Sequence, residues 1–372
     1  MKYEGKSMKK IKLLFIIWSY TYGGGAERLL TMIVNSLNPE KYDISIIEYE
    51  HADIHVEDTN SNIKILPYIQ AVPTPDKQKK GYQVYHTPEV LINKYIKGDF
   101  DVYISFNYQI PTFLLPEGTR NIAWIHGEVS DLKTLDRERG LQDKAFEKVQ
   151  KIVAISDITR ASLEELFPKH IDKIECLYNG IDIDKVRKRA EEQTKIKLEK
   201  DSMLFVGRLD DNKQPQRLLS VLKKVRKKRN AKLYYLGQGG LQQELAEIVK
   251  KEGLSESVEF LGYQDNPMPI VKQAGVVFLL SKSEGFSIAL LESVALGVPF
   301  IATDVGGARI LSNDERCGRI VGTDEEAAEA YLALMDQDRE KIVKECANSV
   351  ERFALPEYIR RIEELIDSVA EK

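Results

Sequence analysis

Arg208 and Lys213 are the strongest candidates for anion binding in the sequence. They lie five residues apart after the apolar run 203–207, and we expect Arg208 to end that strand and Lys213 to begin the next helix. Ligands of open α/β sheets bind beyond the carboxyl ends of the strands, so both cations can reach one anionic group there. The alternative is a solvated pair of surface bases, which is the commoner state of Arg and Lys.

A second group of candidates follows the apolar run 276–281. If a helix starts near Phe286, the N–H groups of Phe286 and Ser287 face the same crevice. Glu292 then lies about 8 to 9 Å farther along the helix axis, which matches the distance from a pyrophosphate to a ribose. Its carboxylate can accept hydrogen bonds from the ribose hydroxyls. Glu284 stays at the mouth of the helix, near a sugar. The alternative is two ordinary helix acids, but Glu292 interrupts an apolar segment, where acids are rare unless paired or liganded.

Glycines follow the first predicted strand. Gly23, Gly24 and Gly25 open an amphipathic helix, so Gly24 and Gly25 can bring backbone N–H groups close to a phosphate. The dinucleotide fingerprint G-x-G-x-x-G fails, because Arg28 stands in place of its third glycine, and a second near match, Gly237-x-Gly239, ends on Gln242. A nicotinamide enzyme is therefore disfavoured. A turn without a ligand stays open as the alternative.

His126 closes the apolar run 121–126 and is followed by Gly127. Its imidazole therefore projects from the end of a strand of the first sheet, where it can act on a ligand. A single His at a strand end is more often a structural hydrogen-bonding group, and that alternative stays open.

No metal site is predicted. The Asp-x-Asp strings 99–101 and 182–184 stand where a turn or helix cap is expected. His51 and His55 have helical spacing, but two histidines do not fill a zinc shell, and we interpret them as loop residues.

Composition excludes several classes of function. The 54 Lys and Arg against 58 Asp and Glu give a net charge of −4, which leaves no overall basic field for nucleic acid. Three scattered cysteines and no apolar run long enough to span a bilayer predict a cytoplasmic protein in a reducing compartment. The basic run 223–229 is most simply a solvated helix end, and peripheral contact with anionic lipid at the inner face of the membrane is the lesser alternative.

Short β-branched apolar runs alternate with helical patterns along nearly the whole chain, which is typical of an α/β fold with parallel sheets. The predicted strands of the first half are 11–20, 42–49, 63–67, 101–106, 121–126, 151–156 and 173–178. Those of the second half are 203–207, 232–237, 258–262, 276–281, 300–303 and 319–321. These are too many for one open sheet and indicate two. The segment 71–80, with two prolines and three lysines, is interpreted as a loop.

The predicted domains are 1–180 and 181–353, divided where Asn179-Gly180 precedes a charged stretch. In the last segment, 354–372, apolar residues recur every three or four positions, which predicts a helix that needs a surface to lie on. These residues are Tyr358, Ile359, Ile362, Leu365, Ile366 and Val369.

An ordered set of motifs between residues 11 and 322 resembles the family 4 retaining glycosyltransferases of the GT-B fold. The set comprises Gly24-Gly25-Ala26-Glu27, Tyr178-Asn179-Gly180-Ile181-Asp182, Gly207-Arg208-Leu209 with Lys213, Gly237-x-Gly239, Glu284 with seven residues before Glu292, and Thr303-Asp304-Val305-Gly306-Gly307. One departure is Ile310, where family members commonly carry Glu. The resemblance implies two Rossmann-like domains facing across a cleft, an acceptor-binding one first and a nucleotide-sugar-binding one second, with the C-terminal helix crossing back to the first.

By the same resemblance, Arg208 and Lys213 hold the diphosphate of a nucleotide-sugar donor. Glu284 contacts the transferred sugar, and Glu292 contacts the ribose. His126 faces the sugar from the acceptor side.

The remaining donor contacts come from glycine-containing turns. Gly24 and Gly25 close over the phosphates, and the turn with Gly262 and Tyr263 meets the base. Together with Phe286 and Ser287 at the helix mouth, these residues complete the predicted donor site.

The implied function is metal-independent transfer of a hexose, with retention of configuration, from a nucleotide-sugar to a hydroxyl of a glycan or lipid-linked acceptor, with no cofactor. A UDP-sugar is the favoured donor, with GDP- and ADP-sugars open, and bacterial polysaccharide synthesis on lipid carriers is the favoured setting, with lipid and protein acceptors open. The alternative is a catalytically silent GT-B partner that binds a glycoprotein or a companion transferase. Such a chain should have lost the charges that this one keeps. A sugar-nucleotide epimerase would need further acid and base residues that the sequence does not offer.

Overall fold

The computed structural model describes residues 9–54, 58–71, 77–107 and 109–371. The chain divides into two compact units, one of residues up to 177 together with 358–372, and one of residues 178–357. This boundary lies close to the expected one, while the binding roles assigned to the two halves stay predictions.

The first unit is built on a seven-stranded parallel sheet of order β4-β2-β1-β6-β7-β8-β9. Its central strands are rich in β-branched residues and buried on both faces, as expected where helices cover both sides of a parallel sheet. Two further strands, β3 and β5, pair in parallel beside it. The strands are β1 (Ile11–Ile17), β2 (Tyr42–Glu48), β3 (Glu50–His51), β4 (Lys64–Ile65), β5 (Gln70–Ala71), β6 (Val102–Phe106), β7 (Asn121–Ile125), β8 (Lys151–Ala154) and β9 (Ile174–Cys176).

The helices of this unit connect its parallel strands. They are α1 (Gly25–Ser36), α2 (Lys77–His86), α3 (Pro88–Tyr95), α4 (Ile110–Phe113), α5 (Asp136–Glu147) and α6 (Asp157–Leu166). The sequence sets the start of helix α6, because Ser156 caps it by accepting a hydrogen bond from the N–H of Thr159 at 3.1 Å.

Two loop predictions in this unit are wrong in part. Helix α2 begins at Lys77, inside the segment 71–80, and residues 72–76 lie outside the described residues. His51 belongs to the strand β3 and not to a loop. The sequence could not indicate this strand, because two residues show no periodicity. His55 lies outside the described residues.

The second unit contains a six-stranded parallel sheet of order β12-β11-β10-β13-β14-β15. Counted within the unit, this is the order 3-2-1-4-5-6 of a doubly wound sheet, which reverses direction between β10 and β13. The strands are β10 (Met203–Val206), β11 (Leu233–Leu236), β12 (Val258–Gly262), β13 (Val276–Leu279), β14 (Phe300–Ala302) and β15 (Gly318–Ile320).

Helices cover both faces of the second sheet. They are α7 (Ile183–Arg189), α8 (Arg217–Val225), α9 (Gln242–Lys251), α10 (Met268–Val271), α11 (Ile288–Ala295), α12 (Ala308–Leu311), α13 (Asp324–Met335) and α14 (Arg339–Val350). Capping explains several of their starts: Asp182 accepts from the N–H of Lys185 at 2.9 Å, and Thr323 and Glu326 form a capping box. The cap predicted for 182–184 is therefore confirmed.

The last helix, α15 (Leu355–Ala370), carries the predicted apolar stripe, and every member of that stripe is buried. From Tyr358 onward it belongs to the first unit, as the prediction of a returning helix requires. Asp367 fixes it there, because it accepts hydrogen bonds from Lys41 Nζ at 2.5 Å and from the Tyr42 hydroxyl at 3.0 Å. Burial, with Asp367 beside it, raises the pKa of Tyr42.

Candidate functional site

The predicted cations and the predicted sugar-binding carboxylate come from neighbouring strands. Arg208 and Lys213 follow β10, Glu284 follows β13, and these two strands pair in parallel. The order of the sheet reverses at this pair of strands, which opens a crevice at their carboxyl ends. The structure therefore places both groups of candidates at the topological switch point of the second unit.

Asn212 ties the two loops together. Its carbonyl accepts a hydrogen bond from the N–H of Lys282 at 2.8 Å, and its side-chain amide donates to the carbonyl of Ser283 at 3.0 Å. The loop after β10 and the loop after β13 therefore form one framework, in which the positions of Lys213 and Glu284 are fixed relative to each other.

Lys213 and Glu284 form an ion pair, with Nζ 2.6 Å from Oε1 and side chains that are 17% and 12% exposed. The backbone N–H of Lys213 donates to Asp210 Oδ1 at 2.9 Å, so this residue lies in a capped turn. The prediction that Lys213 begins a helix is wrong, because α8 starts at Arg217. The intervening residues form a turn around Asp210 and Pro215 instead.

Arg208 has a different environment. Its side chain is 79% exposed, and its Nε lies 3.3 Å from Asp210 Oδ2. Asp210 thus contacts both cationic residues, through the backbone of Lys213 and the side chain of Arg208. A long, solvated Arg side chain beside a fixed Lys can move toward an incoming anion at little cost in packing.

Three glycines allow close packing of these loops. A Cβ atom at Gly237 would lie 1.9 Å from the carbonyl oxygen of Gly207, and one at Gly239 would lie 2.4 Å from that of Leu209. The Gly237-x-Gly239 motif therefore lets the loop after β11 approach the loop that carries Arg208. In the same way, a Cβ atom at Gly307 would overlap the ring of Phe286 at 1.9 Å.

The helix predicted to start near Phe286 begins two residues later. Ser287 is the N-cap of α11 and accepts a hydrogen bond from the N–H of Leu290 at 3.4 Å. Phe286 is buried and packs on Tyr178 and Phe353, with ring centroids 5.7 and 5.4 Å away. Phe286 can therefore offer its backbone to a ligand, while its ring anchors the loop.

Glu292 lies in α11 between the buried residues Leu291 and Ser293 and is itself half-buried. It is five residues beyond the cap Ser287, which corresponds to about 7.5 Å along the axis. The ribose contact expected of it stays a prediction.

The turn after β12 presents Gly262 and Tyr263. Gly262 has a φ of +69° and its carbonyl accepts from the N–H of Gly237 at 2.9 Å. Tyr263 is 60% exposed, so its ring is available for stacking on a planar base.

In the first unit, Gly24 is the N-cap of α1 and Gly25 its first residue. A Cβ atom at Gly24 would lie 2.6 Å from the carboxylate of Glu27, whereas one at Gly25 would meet no other described atom within 4 Å. The first turn of α1 therefore presents an open backbone at the carboxyl end of β1, at the positive end of a twelve-residue helix.

His126 follows β7 and stands against Phe106, with ring centroids 4.1 Å apart. Its Nε2 atom is buried and finds no hydrogen-bond partner within the described ranges. Burial lowers the pKa of His126 to about 3, so the imidazole is neutral near pH 7. The alternative of a satisfied structural histidine is therefore weakened.

The sequence interpretation missed Asp210 and Asn212. The spacing of Asp210 and Lys213 is that of a capped turn and could have indicated the former, but the role of Asn212 depends on a strand 64 residues later in the chain. Among the residues that the structure describes, no group of three or more His, Cys, Asp or Glu side chains could hold a metal ion.

The basic run 223–229 ends α8 and is partly paired. Lys223 contacts Glu252 at 2.9 Å, Lys224 contacts Glu325 at 2.5 Å and Arg229 contacts Asp336 at 3.4 Å. These pairs reduce the positive charge that the run could offer to anionic lipid. In the described part of the chain, no helix is long and apolar enough to cross a membrane.

Two Rossmann-like units, the second with a basic site at its switch point, define a protein of the GT-B fold. The model of the family described as Glycosyltransferase Family 4 matches residues 23–185, and that described as Glycosyl transferases group 1 matches residues 186–351. The chain belongs to the family 4 glycosyltransferases.

Two relatives come from Campylobacter jejuni subsp. jejuni serotype O:2. The N-acetylgalactosamine-N,N'-diacetylbacillosaminyl-diphospho-undecaprenol 4-alpha-N-acetylgalactosaminyltransferase is 36% identical over 187 residues, and the match spans 49% of this chain and half of the relative. The GalNAc-alpha-(1->4)-GalNAc-alpha-(1->3)-diNAcBac-PP-undecaprenol alpha-1,4-N-acetyl-D-galactosaminyltransferase is 28% identical over 364 residues, which spans 92% of this chain and 93% of the relative.

Solved structures share the fold. The crystal structure of Anabaena HepE in complex with UDP matches with a TM-score of 0.72 at 16% identity, over 96% of this chain and all of that one. The α/β class and the GT-B architecture expected from the sequence are thereby confirmed.

Proposed function

We propose that this enzyme transfers a hexose, with retention of configuration and without a metal, from a UDP-sugar to a hydroxyl of a lipid-linked glycan. The observation that carries the proposal is the Lys213–Glu284 ion pair at the switch point of the second sheet, with Arg208 beside it. A diphosphate needs cations at this place, and a sugar attached to it needs a hydrogen-bond acceptor next to those cations.

The chemistry places demands on these cations. When the bond between the anomeric carbon and the β-phosphate oxygen breaks, negative charge develops on the phosphate and positive charge on the sugar. Arg208, Lys213 and the backbone N–H groups at Phe286 and Ser287 supply positive groups aimed at the leaving oxygen, which lowers the barrier without a metal.

Retention is proposed to follow from attack on the same face of the sugar. The acceptor oxygen bonds to the anomeric carbon as the phosphate leaves, and the acceptor's proton passes to the departing phosphate oxygen. No protein nucleophile takes part, unlike in a retaining glycosidase, where a second carboxylate lies about 5 Å from the acid.

The other site residues are proposed to orient the donor. Glu284 accepts hydrogen bonds from the transferred sugar, and Glu292 accepts them from the ribose. His126, held neutral by its buried setting, hydrogen-bonds the sugar without adding charge.

Backbone and aromatic groups are proposed to complete the donor site. Gly24 and Gly25 close over the phosphates, and Gly262 with Tyr263 meets the base. The choice of uracil is supported by the HepE structures, which were solved with UDP and with UDP-glucose.

The proposed acceptor is a glycan on a polyprenyl diphosphate, because both Campylobacter relatives are named for undecaprenol-linked substrates. The proposed place of work is the cytoplasmic face of a membrane, which the protein would approach from the cytoplasm as a peripheral enzyme.

The test is a panel of UDP-, GDP- and ADP-sugars measured for thermal stabilisation and for slow hydrolysis. We expect a UDP-sugar to stabilise the protein, because a ligand that binds only the native state raises its stability, and to be hydrolysed slowly. Lys213→Ala should slow the hydrolysis by roughly two powers of ten, while Lys227→Ala, on the exposed basic run, serves as the matched control. No response to any nucleotide-sugar would overturn the proposal and favour the silent partner, and stabilisation without hydrolysis or transfer would contradict the catalytic step.

A further inference from the structure

Two aromatic rings stand partly exposed beyond the carboxyl ends of β1 and β4 in the first unit. Trp18 is 38% exposed and Tyr68 is 44% exposed. They lie in loops at the same edge of the sheet as Gly24 and Gly25, which follow β1. Partly exposed rings of this kind present an apolar face together with a polar edge.

Trp18 is held in place by a buried carboxylate. Its indole Nε1 donates to Glu50 Oε2 at 3.2 Å, and the backbone N–H of Glu50 donates to the carbonyl of Trp18 at 2.7 Å. The indole also packs on the buried ring of Tyr49, with centroids 5.7 Å apart. Glu50, only 2% exposed, accepts a further hydrogen bond from Gln70 Nε2 at 3.2 Å.

A second ring pair is held in a similar way. Tyr68 stacks on His51 with centroids 4.5 Å apart and an interplanar angle of 8°. His51 Nδ1 lies 2.5 Å from Oε1 of Glu48, whose side chain is 5% exposed. Glu48 also accepts from the N–H of Tyr20 at 2.7 Å. The two anchoring residues of the rings, Glu50 and His51, are adjacent in β3.

These carboxylates need an explanation other than stability. Burying a carboxylate carries a large desolvation cost, and apolar residues of the same volume would stabilise a core at least as well. What these residues achieve is local: Glu50 fixes the indole of Trp18, and Glu48 fixes His51, on which Tyr68 stacks, while parts of the rings face solvent. Fixing a binding surface in advance lowers the entropy lost when a ligand binds.

We propose that Trp18, His51 and Tyr68, here called the aromatic edge, bind neutral sugar rings of the acceptor glycan. The C–H groups of one face of a pyranose pack on the electron-rich faces of aromatic rings, while its hydroxyls need polar partners at the ring edges. A nucleotide or another anion is disfavoured by the carboxylates behind the rings, and an alkyl chain would leave the polar groups unused. This assignment rests on the proposed function and names the residues that recognise its acceptor.

The binding test uses the protein's two tryptophans. Trp18 is partly exposed and Trp124 is fully buried, so acrylamide quenching of indole fluorescence reports on Trp18. We expect the disaccharide GalNAc-alpha-(1->4)-GalNAc to protect Trp18 from quenching. Tyr68→Ala should raise the disaccharide concentration needed for half-maximal protection about tenfold, which corresponds to the loss of an aromatic contact worth about 1.4 kcal/mol.

A matched control lies on α2, where Tyr82 stacks on His86 with centroids 4.0 Å apart and is 63% exposed. This stacked pair has no described carboxylate anchor, and Tyr82→Ala should leave protection unchanged. Protection by UDP instead of the disaccharide would overturn the assignment in favour of a nucleotide site.

The second readout separates this inference from the proposed function. In Trp18→Ala, we expect the KM for a lipid-linked acceptor to rise about tenfold while hydrolysis of the donor without acceptor stays unchanged. Equal acceptor KM values in wild type, Trp18→Ala and Tyr68→Ala would overturn the aromatic edge and leave the transferase assignment standing. Loss of donor hydrolysis in Trp18→Ala would also overturn it, because the residue would then serve the donor.

Discussion

Nζ of Lys213 lies 2.6 Å from Oε1 of Glu284, although the two residues are 71 positions apart in the chain. Each residue therefore neutralises the other at the crevice where a diphosphate is proposed to bind. Such a site holds its cation in place and largely out of water, and the carboxylate occupies one of the hydrogen-bonding positions of that cation. Donor binding must rearrange this pair, and the predictions for the second unit follow from that requirement.

The first prediction concerns the two cations. Arg208→Ala and Lys213→Ala should each raise the barrier to transfer by on the order of 3 kcal/mol, because each removes a positive group from the leaving phosphate. Initial rates at saturating donor measure the effect.

The two variants differ in their risk to the fold. Arg208 is 79% exposed, so its loss should leave thermal unfolding unchanged, whereas Lys213→Ala strands a half-buried carboxylate and should lower the midpoint. Wild-type rates in Arg208→Ala, in a protein that unfolds normally, would contradict the assignment without ambiguity.

Glu284→Gln separates the two roles of the pair. We expect UDP to bind more tightly to this variant, because the phosphate no longer competes with a carboxylate for Lys213. Transfer should nevertheless slow, because an amide is a weaker acceptor for the sugar hydroxyls. Calorimetric titration with UDP and rates with a UDP-sugar give the two quantities, and an unchanged affinity for UDP would show that the ion pair does not occupy the phosphate position.

Glu292→Ala should weaken UDP binding by about 1.5 to 3 kcal/mol, the usual contribution of hydrogen bonds to a charged group. The sharper measurement compares UDP with 2′-deoxy-UDP. The wild-type protein should prefer UDP, and Glu292→Ala should lose most of that preference. An equal preference in both proteins would remove Glu292 from the ribose contact even if overall affinity had fallen.

Local patterns predicted the framework of this site well. The run 203–206 is wholly apolar and is followed by Gly207, so its strand and the position of Arg208 at its end follow from the sequence alone. The stripe of α15 likewise shows that this helix must lie on a surface. Such features depend on residues close in sequence, where periodicity and capping act.

Other features lay beyond local patterns. The contact of Lys213 with Glu284 depends on β10 and β13 being neighbours, which is a property of strand order. Helix α2 was missed because its sequence has few apolar residues, and β3 was missed because it has only two residues. The aromatic edge depends on hydrogen bonds between separate loops, so no spacing in the sequence indicates it.

Alanine substitutions at two glycines are expected to differ in their effect on stability. A methyl group at Gly307 would overlap the ring of Phe286, and we expect Gly307→Ala to destabilise the protein by about 1 to 3 kcal/mol through overpacking. A methyl group at Gly25 meets no described atom within 4 Å, so Gly25→Ala should unfold like the wild type. If Gly25 approaches the donor phosphates as proposed, that variant should still bind UDP-sugar less tightly. Urea denaturation and donor titration check both, and a Gly307→Ala protein of wild-type stability would contradict the packing.

The buried histidine predicts how stability depends on pH. Because the pKa of His126 falls to about 3 in the folded protein, the unfolded chain binds more protons than the native one between about pH 6.5 and pH 3. The contribution of His126 to the free energy of unfolding is fully present above about pH 6.5. It declines as the pH falls, by about 1.4 kcal/mol per pH unit at most. His126→Phe should therefore flatten the loss of stability between about pH 6 and pH 4, measured by urea denaturation across that range. His170→Phe is the control, because His170 pairs with Asp143 at 3.0 Å, and an equal slope in wild type and His126→Phe would show that His126 is charged in the native protein.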